Sequence, residues 1–153
     1  MKNFADIKIR EWHFIVLIFL LTILIYILGT RNLTRTYASD IVDYLIELNE
    51  EIFVDSISSR LCFVLFFVED SDLCSEMNYN LNRMAKDKNS DVGFFKLNLE
   101  KYPVYNEIYN ISGVPNILIF SNGEEIKRIM GIVPKHNLER IYNKTSKKER
   151  TQL

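Results

Sequence analysis

The order of periodic segments in this 153-residue chain predicts one α/β domain, a mixed central sheet flanked by helices, preceded by one transmembrane helix. Three observations carry that class. Strand-length apolar runs alternate with helix-period segments between residues 43 and 143, which demands crossover connections and parallel strands. Asn122-Gly123 joins the last two apolar runs, the signature of a tight hairpin and so of an antiparallel edge. Upstream, Trp12 to Thr30 ("WHFIVLIFLLTILIYILGT") runs 19 residues without a formal charge, close to the roughly 20 that a bilayer span needs.

The elements follow in chain order. Residues 1–11 carry Lys2, Lys8 and Arg10 with the amino terminus, while only Arg31 and Arg35 follow the apolar run closely. The positive-inside bias therefore places the N-terminus in the cytoplasm and the C-terminal domain on the luminal or extracellular side. A cleaved signal peptide is the rival reading, with Thr36-Tyr37-Ala38 offering small residues for the cut and a secreted or luminal product. Both put the domain on the secretory route, and the reading adopted is a single-pass protein of the endoplasmic reticulum membrane. Asn110-Ile111-Ser112 and Asn143-Lys144-Thr145 are glycosylation acceptors that such a route permits. Asn32-Leu33-Thr34 sits against the membrane, too close to be used.

A polar connector, residues 31–42, leads to Tyr44–Leu48 ("YLIEL"), a short strand. Asn49 then caps a helix to about Ser58, with Glu50 and Glu51 in its first turn where the dipole favours acids. Leu61–Val68 ("LCFVLFFV") is a continuous apolar run, as expected of a strand buried on both faces. From Ser71 or Asp72 the period changes: Cys74, Met77, Leu81, Met84 and Ala85 share one face of a helix ending near Lys88. Val92–Leu99 is the next strand, and Tyr102–Ile111 a short helix with Pro103 in its first turn. Asn116–Phe120 and Glu125–Ile132 form the hairpin, Pro134 opens a helix buried through Leu138, Ile141 and Tyr142, and residues 144–153 form a polar tail.

Several function classes are excluded. A net charge of −1 with no basic motif argues against nucleic acid, and Cys62, Cys74, His13 and His136 lack metal-site spacing, so neither metal nor cofactor is expected. Cys62 lies within the central strand and reads as core.

This order, and the residues at its joints, resemble a thioredoxin domain of the protein disulfide isomerase kind over roughly Tyr44 to Asn143. "IELNEEIFVDSI" looks like the opening strand and helix, and "LCFVLFFVEDSDLCSEM" is similar to the central strand and active-site turn. "FFKLNLEKYPVYNEIYNISGVPNILIFSNGEEIKRIMG" follows the third strand through the terminal hairpin. The resemblance implies a thioredoxin fold with a cis peptide bond at Val114-Pro115; the plain alternative is a trans proline entering an edge strand.

The resemblance also implies a departure. Where the family carries Cys-x-x-Cys, this chain reads Ser71-Asp72-Leu73-Cys74, so Cys74 takes the resolving position and serine the attacking one. A different gap would put Asp72 first; neither makes Cys74 the attacking thiol. Glu69, Asp70, Asp72 and Glu76 surround the turn and repel a thiolate, and Phe66 stands where redox-active members often carry a proton-handling acid. Cys74 reads as a small buried residue or, alternatively, as the catalytic thiol of a monothiol oxidoreductase or isomerase. The function expected is the binding of unfolded or folding polypeptides by Val114, Pro115, Asp72 and Leu73, with little or no dithiol exchange. An adaptor subunit in a membrane complex is the further alternative.

Overall fold

Strand β2 (Cys62–Phe67) explains the architecture, because its side chains from Cys62 to Phe66 are all buried. Phe63 and Leu65 point into one apolar layer with Met77, Leu81, Met84, Leu138 and Tyr142. Cys62, Val64 and Phe66 point into the other, with Leu48, Phe53, Tyr105, Leu118 and Phe120. An unbroken apolar run is therefore two interleaved half-faces, each under its own helices.

The computed structural model describes residues 4–35, 42–58, 61–88 and 92–152. After helix α1 (Phe4–Arg35), the elements are β1 (Ile46–Glu47), α2 (Glu50–Ser58), β2, α3 (Asp72–Lys86), β3 (Gly93–Asn98), α4 (Val104–Ile108), β4 (Asn116–Ser121), β5 (Glu124–Met130) and α5 (Lys135–Gln152). The sheet order is β1-β3-β2-β4-β5. β1, β3 and β2 are parallel, while β4 runs antiparallel to both β2 and β5. This is the mixed sheet expected, with α2 and α4 contributing to one layer and α3 and α5 to the other.

Helix α1 is a unit apart from the domain. Its described side chains, Trp12 to Leu28, are all exposed, and Thr22 donates its hydroxyl to the Phe19 carbonyl at 2.8 Å, satisfying it within the helix. That stretch covers about 26 Å at 1.5 Å per residue, under the ~30 Å of a hydrocarbon core. Among the described residues no helix is long and apolar enough to cross a membrane.

Phe53, at the centre of α2, meets the rings of Tyr105 at 4.6 Å, Tyr109 at 5.6 Å, Phe66 at 6.3 Å and Phe120 at 6.4 Å. Truncating such a ring costs on the order of 3–5 kcal/mol, so one side chain secures three elements to β2. Asn49 starts this helix as expected, its side chain accepting from the Ile52 amide at 3.0 Å. The β4–β5 turn places Asn122 at φ 50° and Gly123 at φ 86°, the pair of positive angles that a two-residue hairpin requires. The Gly123 amide donates to the Ile57 carbonyl at 2.9 Å, docking the hairpin on the end of α2.

The sequence reading differs most from the structure in three elements. β1 pairs over Ile46–Glu47, not Tyr44–Leu48, because side chains capture the preceding amides: Tyr44 donates to Asn82 Oδ1 at 2.7 Å and Leu45 to Asp43 Oδ1 at 3.1 Å. α4 spans five residues, with Pro103 at its N-cap and Asn110 at φ 52° beyond its end. Helix α5 continues through residues expected as a polar tail. Thr145 and Ser146 are buried in it, their hydroxyls donating to the Ile141 and Tyr142 carbonyls at 2.9 and 2.6 Å, and Ser121 donates to Glu149 at 2.5 Å.

Asn82, 2% exposed, is a polar residue inside the apolar face of α3. It holds Tyr44 through its oxygen and donates to Asp43 Oδ1 at 3.1 Å, while Lys96 donates to Asp43 Oδ2. Burial pushes the Asp43 carboxyl up, but hydrogen bonds from Lys96, Asn82 and the Leu45 amide, with the Lys96 charge, outweigh it and leave the group below its ordinary 3.8. A lowered carboxylate contributes stability that is present above the unfolded value and is lost as pH falls through the folded one. Urea unfolding should thus show Asp43→Asn less stable than wild type at neutral pH. The gap should close as pH falls through the lowered carboxylate range, below 3.8; a gap of equal size in acid would refute the linkage.

Candidate functional site

The site forms at the C-terminal end of β2. The strand ends at Phe67, Asp70 takes φ 53° in the turn, and Ser71 becomes the N-cap of α3 at φ −108°, ψ 116°. Its hydroxyl accepts from the Cys74 amide at 3.3 Å and its carbonyl from the Ser75 amide at 2.9 Å. Asp72 and Leu73 occupy the first turn with their side chains exposed, Leu73 at 54%. Cys74 turns inward and is 2% exposed. Ser71, not Asp72, therefore holds the cap, with Cys74 three residues on.

The second wall comes from β4. Asn116 pairs with Phe66 in antiparallel register, so Val114 and Pro115 run on beside the end of β2, where the turn begins. The Val114-Pro115 bond is cis, as expected. Pro115 is buried and its carbonyl accepts from the Gly131 amide at 2.9 Å. Val114 is half-buried, and among the described residues its own amide and carbonyl have no backbone partner. The fold thus brings Ser71, Asp72, Leu73, Cys74, Val114 and Pro115 to one end of one strand.

Arg128 on β5 supports the second wall. It donates to the carbonyls of Asn110 at 2.9 Å and Tyr109 at 2.7 Å while both Glu125 oxygens accept from it at 2.8 Å. The guanidinium fork so fixes the base of the segment that carries Val114. Asn98, 1% exposed at the end of β3, supports the first wall. Its amide donates to Glu69 Oε1 at 2.8 Å, its oxygen accepts from the Glu100 amide at 2.8 Å, and Glu100 in turn accepts from the Glu69 amide at 2.8 Å. Lys101 reaches Glu47 at 3.0 Å and Glu69 at 3.5 Å, and its ammonium is pushed up by the Glu47 hydrogen bond first and the Glu47 charge second. Among the described residues Asp70, Asp72 and Glu76 form no ion pair, so the turn keeps a net acidic rim. Neither Arg128 nor Asn98 was found by sequence reasoning. Both act across long sequence separations, and the one local hint was an Asn ending an apolar strand run.

Two readings of the buried side need restating. Phe66 is not on the side of Cys74: it points into the layer of α2 and α4, whereas Leu65 faces the layer of α3. The position read from sequence at Phe66 is therefore corrected, because alternate strand residues face opposite layers and Leu65 is the one turned toward α3. Cys62 sits at the opposite end of β2, five residues or about 16 Å from Phe67, too far to bridge to Cys74. Both thiols are free, and burial pushes that of Cys62 up to about 12 against a weaker pull from the Phe120 backbone. Among the described residues no three His, Cys, Asp or Glu side chains gather as metal ligands.

The thioredoxin family model matches residues 44–144, two thirds of the chain, from β1 into α5. The chain belongs to the thioredoxin family. It is 29% identical over 97 residues to a thioredoxin of Chlamydia trachomatis, covering 63% of this chain and 94% of that one. It is 37% identical over 59 residues to a thioredoxin of Mycoplasma genitalium, 39% of this chain and 58% of that one. With an M-type chloroplastic thioredoxin of spinach it shares 36% over 58 residues, 38% of this chain and 32% of that one. These relatives carry the name thioredoxin and not that of a disulfide isomerase, and α1 lies outside the matched residues.

If Asn98 straps the turn as its bonds indicate, Asn98→Ala leaves buried or partly buried donors unmet and costs about 1–3 kcal/mol. Hydrogen exchange at the Glu69 and Glu100 amides should rise well above exchange in the sheet interior. Unchanged protection at both amides would show that the turn is held by other contacts.

Proposed function

We propose that this thioredoxin-family domain binds extended polypeptide segments along the Val114-Pro115 edge and does not carry out dithiol exchange. One observation carries the reading: the position that the family resemblance assigns to the attacking thiol is the helix N-cap Ser71, bonded to the Cys74 amide, with Cys74 buried behind it. Exchange needs an accessible thiolate to attack and a second thiol to resolve the mixed disulfide. A serine hydroxyl forms no disulfide, and no base among the described residues bonds to it. What remains, among the described residues, is a Val114 amide and carbonyl without a backbone partner at the same end of β2 as the exposed Leu73 and Asp72, the geometry by which an extended peptide adds to a strand edge. Backbone hydrogen bonds contribute about 1 kcal/mol each, so binding is weak and reversible, as handling of unfolded or folding clients requires.

The same proposal takes α1 as a single-pass anchor in the endoplasmic reticulum membrane, with the domain luminal and kin to disulfide isomerases. The uncharged run of residues 12–30 lies wholly within α1, whose backbone continues beyond the described side chains at both ends. A helix apolar around its whole circumference needs either protein or lipid against it. The excess of cations on its N-terminal side supports the orientation.

A second reading keeps Cys74 as a monothiol, favoured by its place in the first turn of α3, where the helix dipole stabilises an anion. Two measurements separate these. Titrating the protein with an unfolded peptide should shift the amides of Asp72, Leu73 and Val114; silence at all three would end the peptide-binding reading. Alkylation of Cys74 should be slow in the native protein and fast only after denaturation, whereas rapid native labelling would establish the monothiol.

A further inference from the structure

The sequons of the domain differ sharply once folded. We propose that Asn110 is an N-glycosylation site and that Asn143 is not, an inference that rests on the luminal placement proposed above. Asn110 lies just past α4 at φ 52°, with its side chain exposed and making no hydrogen bond among the described residues. Its backbone is fixed from behind, since the Arg128 guanidinium holds its carbonyl at 2.9 Å and the Ile111 amide donates to Asn106 at 2.9 Å. Ser112, two residues on, is exposed with an uncommitted hydroxyl. Acceptor amide and hydroxyl therefore both face solvent in an irregular segment, as a surface sequon requires.

Asn143 is exposed too, but it lies inside α5, and its sequon hydroxyl is spent. Thr145 is 8% exposed and donates to the Ile141 carbonyl at 2.9 Å. Presenting that hydroxyl would require unwinding the helix around a side chain that is part of the domain interior. In the transfer itself, Asn110 Nδ2 forms a bond to the anomeric carbon of a lipid-pyrophosphate-linked oligosaccharide. The bond from that carbon to the pyrophosphate oxygen breaks, lipid pyrophosphate leaves with the electron pair, and the amide loses one proton. The glycan would stand four residues before Val114, flanking the proposed peptide edge without occupying it.

The test is translation of the full chain with microsomes, followed by amidase release of N-glycans and gel mobility, using wild type, Asn110→Gln and Asn143→Gln. Each carries a further acceptor sequon on a flexible C-terminal extension as a topology reporter. Expected are two glycans on wild type, one on Asn110→Gln and two on Asn143→Gln. A reporter that is modified while Asn110→Gln matches wild type overturns the site assignment and leaves the luminal placement standing. A reporter that stays unmodified overturns the luminal placement and the site together.

Discussion

Everything in the domain depends on β2 being buried on both faces while paired to β3 on one side and β4 on the other. The parallel pairing with β3 forces a crossover, and α3 supplies it by starting within a few residues of the strand end. The antiparallel pairing with β4 brings the start of that strand, not its end, to the same place. A helix N-terminus and a proline-bearing loop so meet at one end of the sheet for topological reasons alone, before any side chain at the site is considered. That end is also where, among the described residues, Val114 has no backbone hydrogen-bond partner, two residues before β4 begins.

Polar residues at the strand ends do a different job from the core. Asn98 and Asn82 are almost wholly buried, yet each bonds segments far away in sequence. Asn98 ties the turn after β2 to the end of β3, and Asn82 ties the entry to β1 to α3. A buried amide costs several kcal/mol unless its donors and acceptors are met, so such residues specify one arrangement of the loops they hold. Arg128 does the same on the far side, where its fork closes α4 and steadies the loop before Pro115. The apolar layers set where the elements lie, and these three polar anchors set where their ends lie.

That division explains what was legible from sequence. The helical period of Cys74, Met77, Leu81, Met84 and Ala85, the doubly buried run of β2 and the Asn-Gly turn are local patterns, and each element they predict is present. Element ends were misplaced where long-range side chains decide them: β1 loses Tyr44 and Leu45 to Asn82 and Asp43, and α5 continues because its hydroxyls bond back to its own carbonyls and hide their polarity. The candidate site was legible where it is a matter of spacing, as with Ser71 and Cys74. It was not legible where it depends on which way a strand residue faces, as with Leu65 and Phe66, or on contacts across ~30 residues, as with Asn98 and Glu69.

The serine at position 71 has a physical consequence of its own. Serine ranks among the best N-cap residues, and its hydroxyl meets a helix amide that would otherwise be orphaned, a contribution of about 1 kcal/mol to starting α3. A thiolate at the same position would be stabilised by that same amide, whereas a serine hydroxyl stays neutral and forms no disulfide. Here the one polar contact of the side chain serves helix initiation. The backbone at Val114 is set by the β4 register and the Arg128 fork, independently of the side chain at position 71. Pairing an extended peptide to a backbone edge and exchanging a disulfide make different demands, so the binding proposed above does not depend on a thiol.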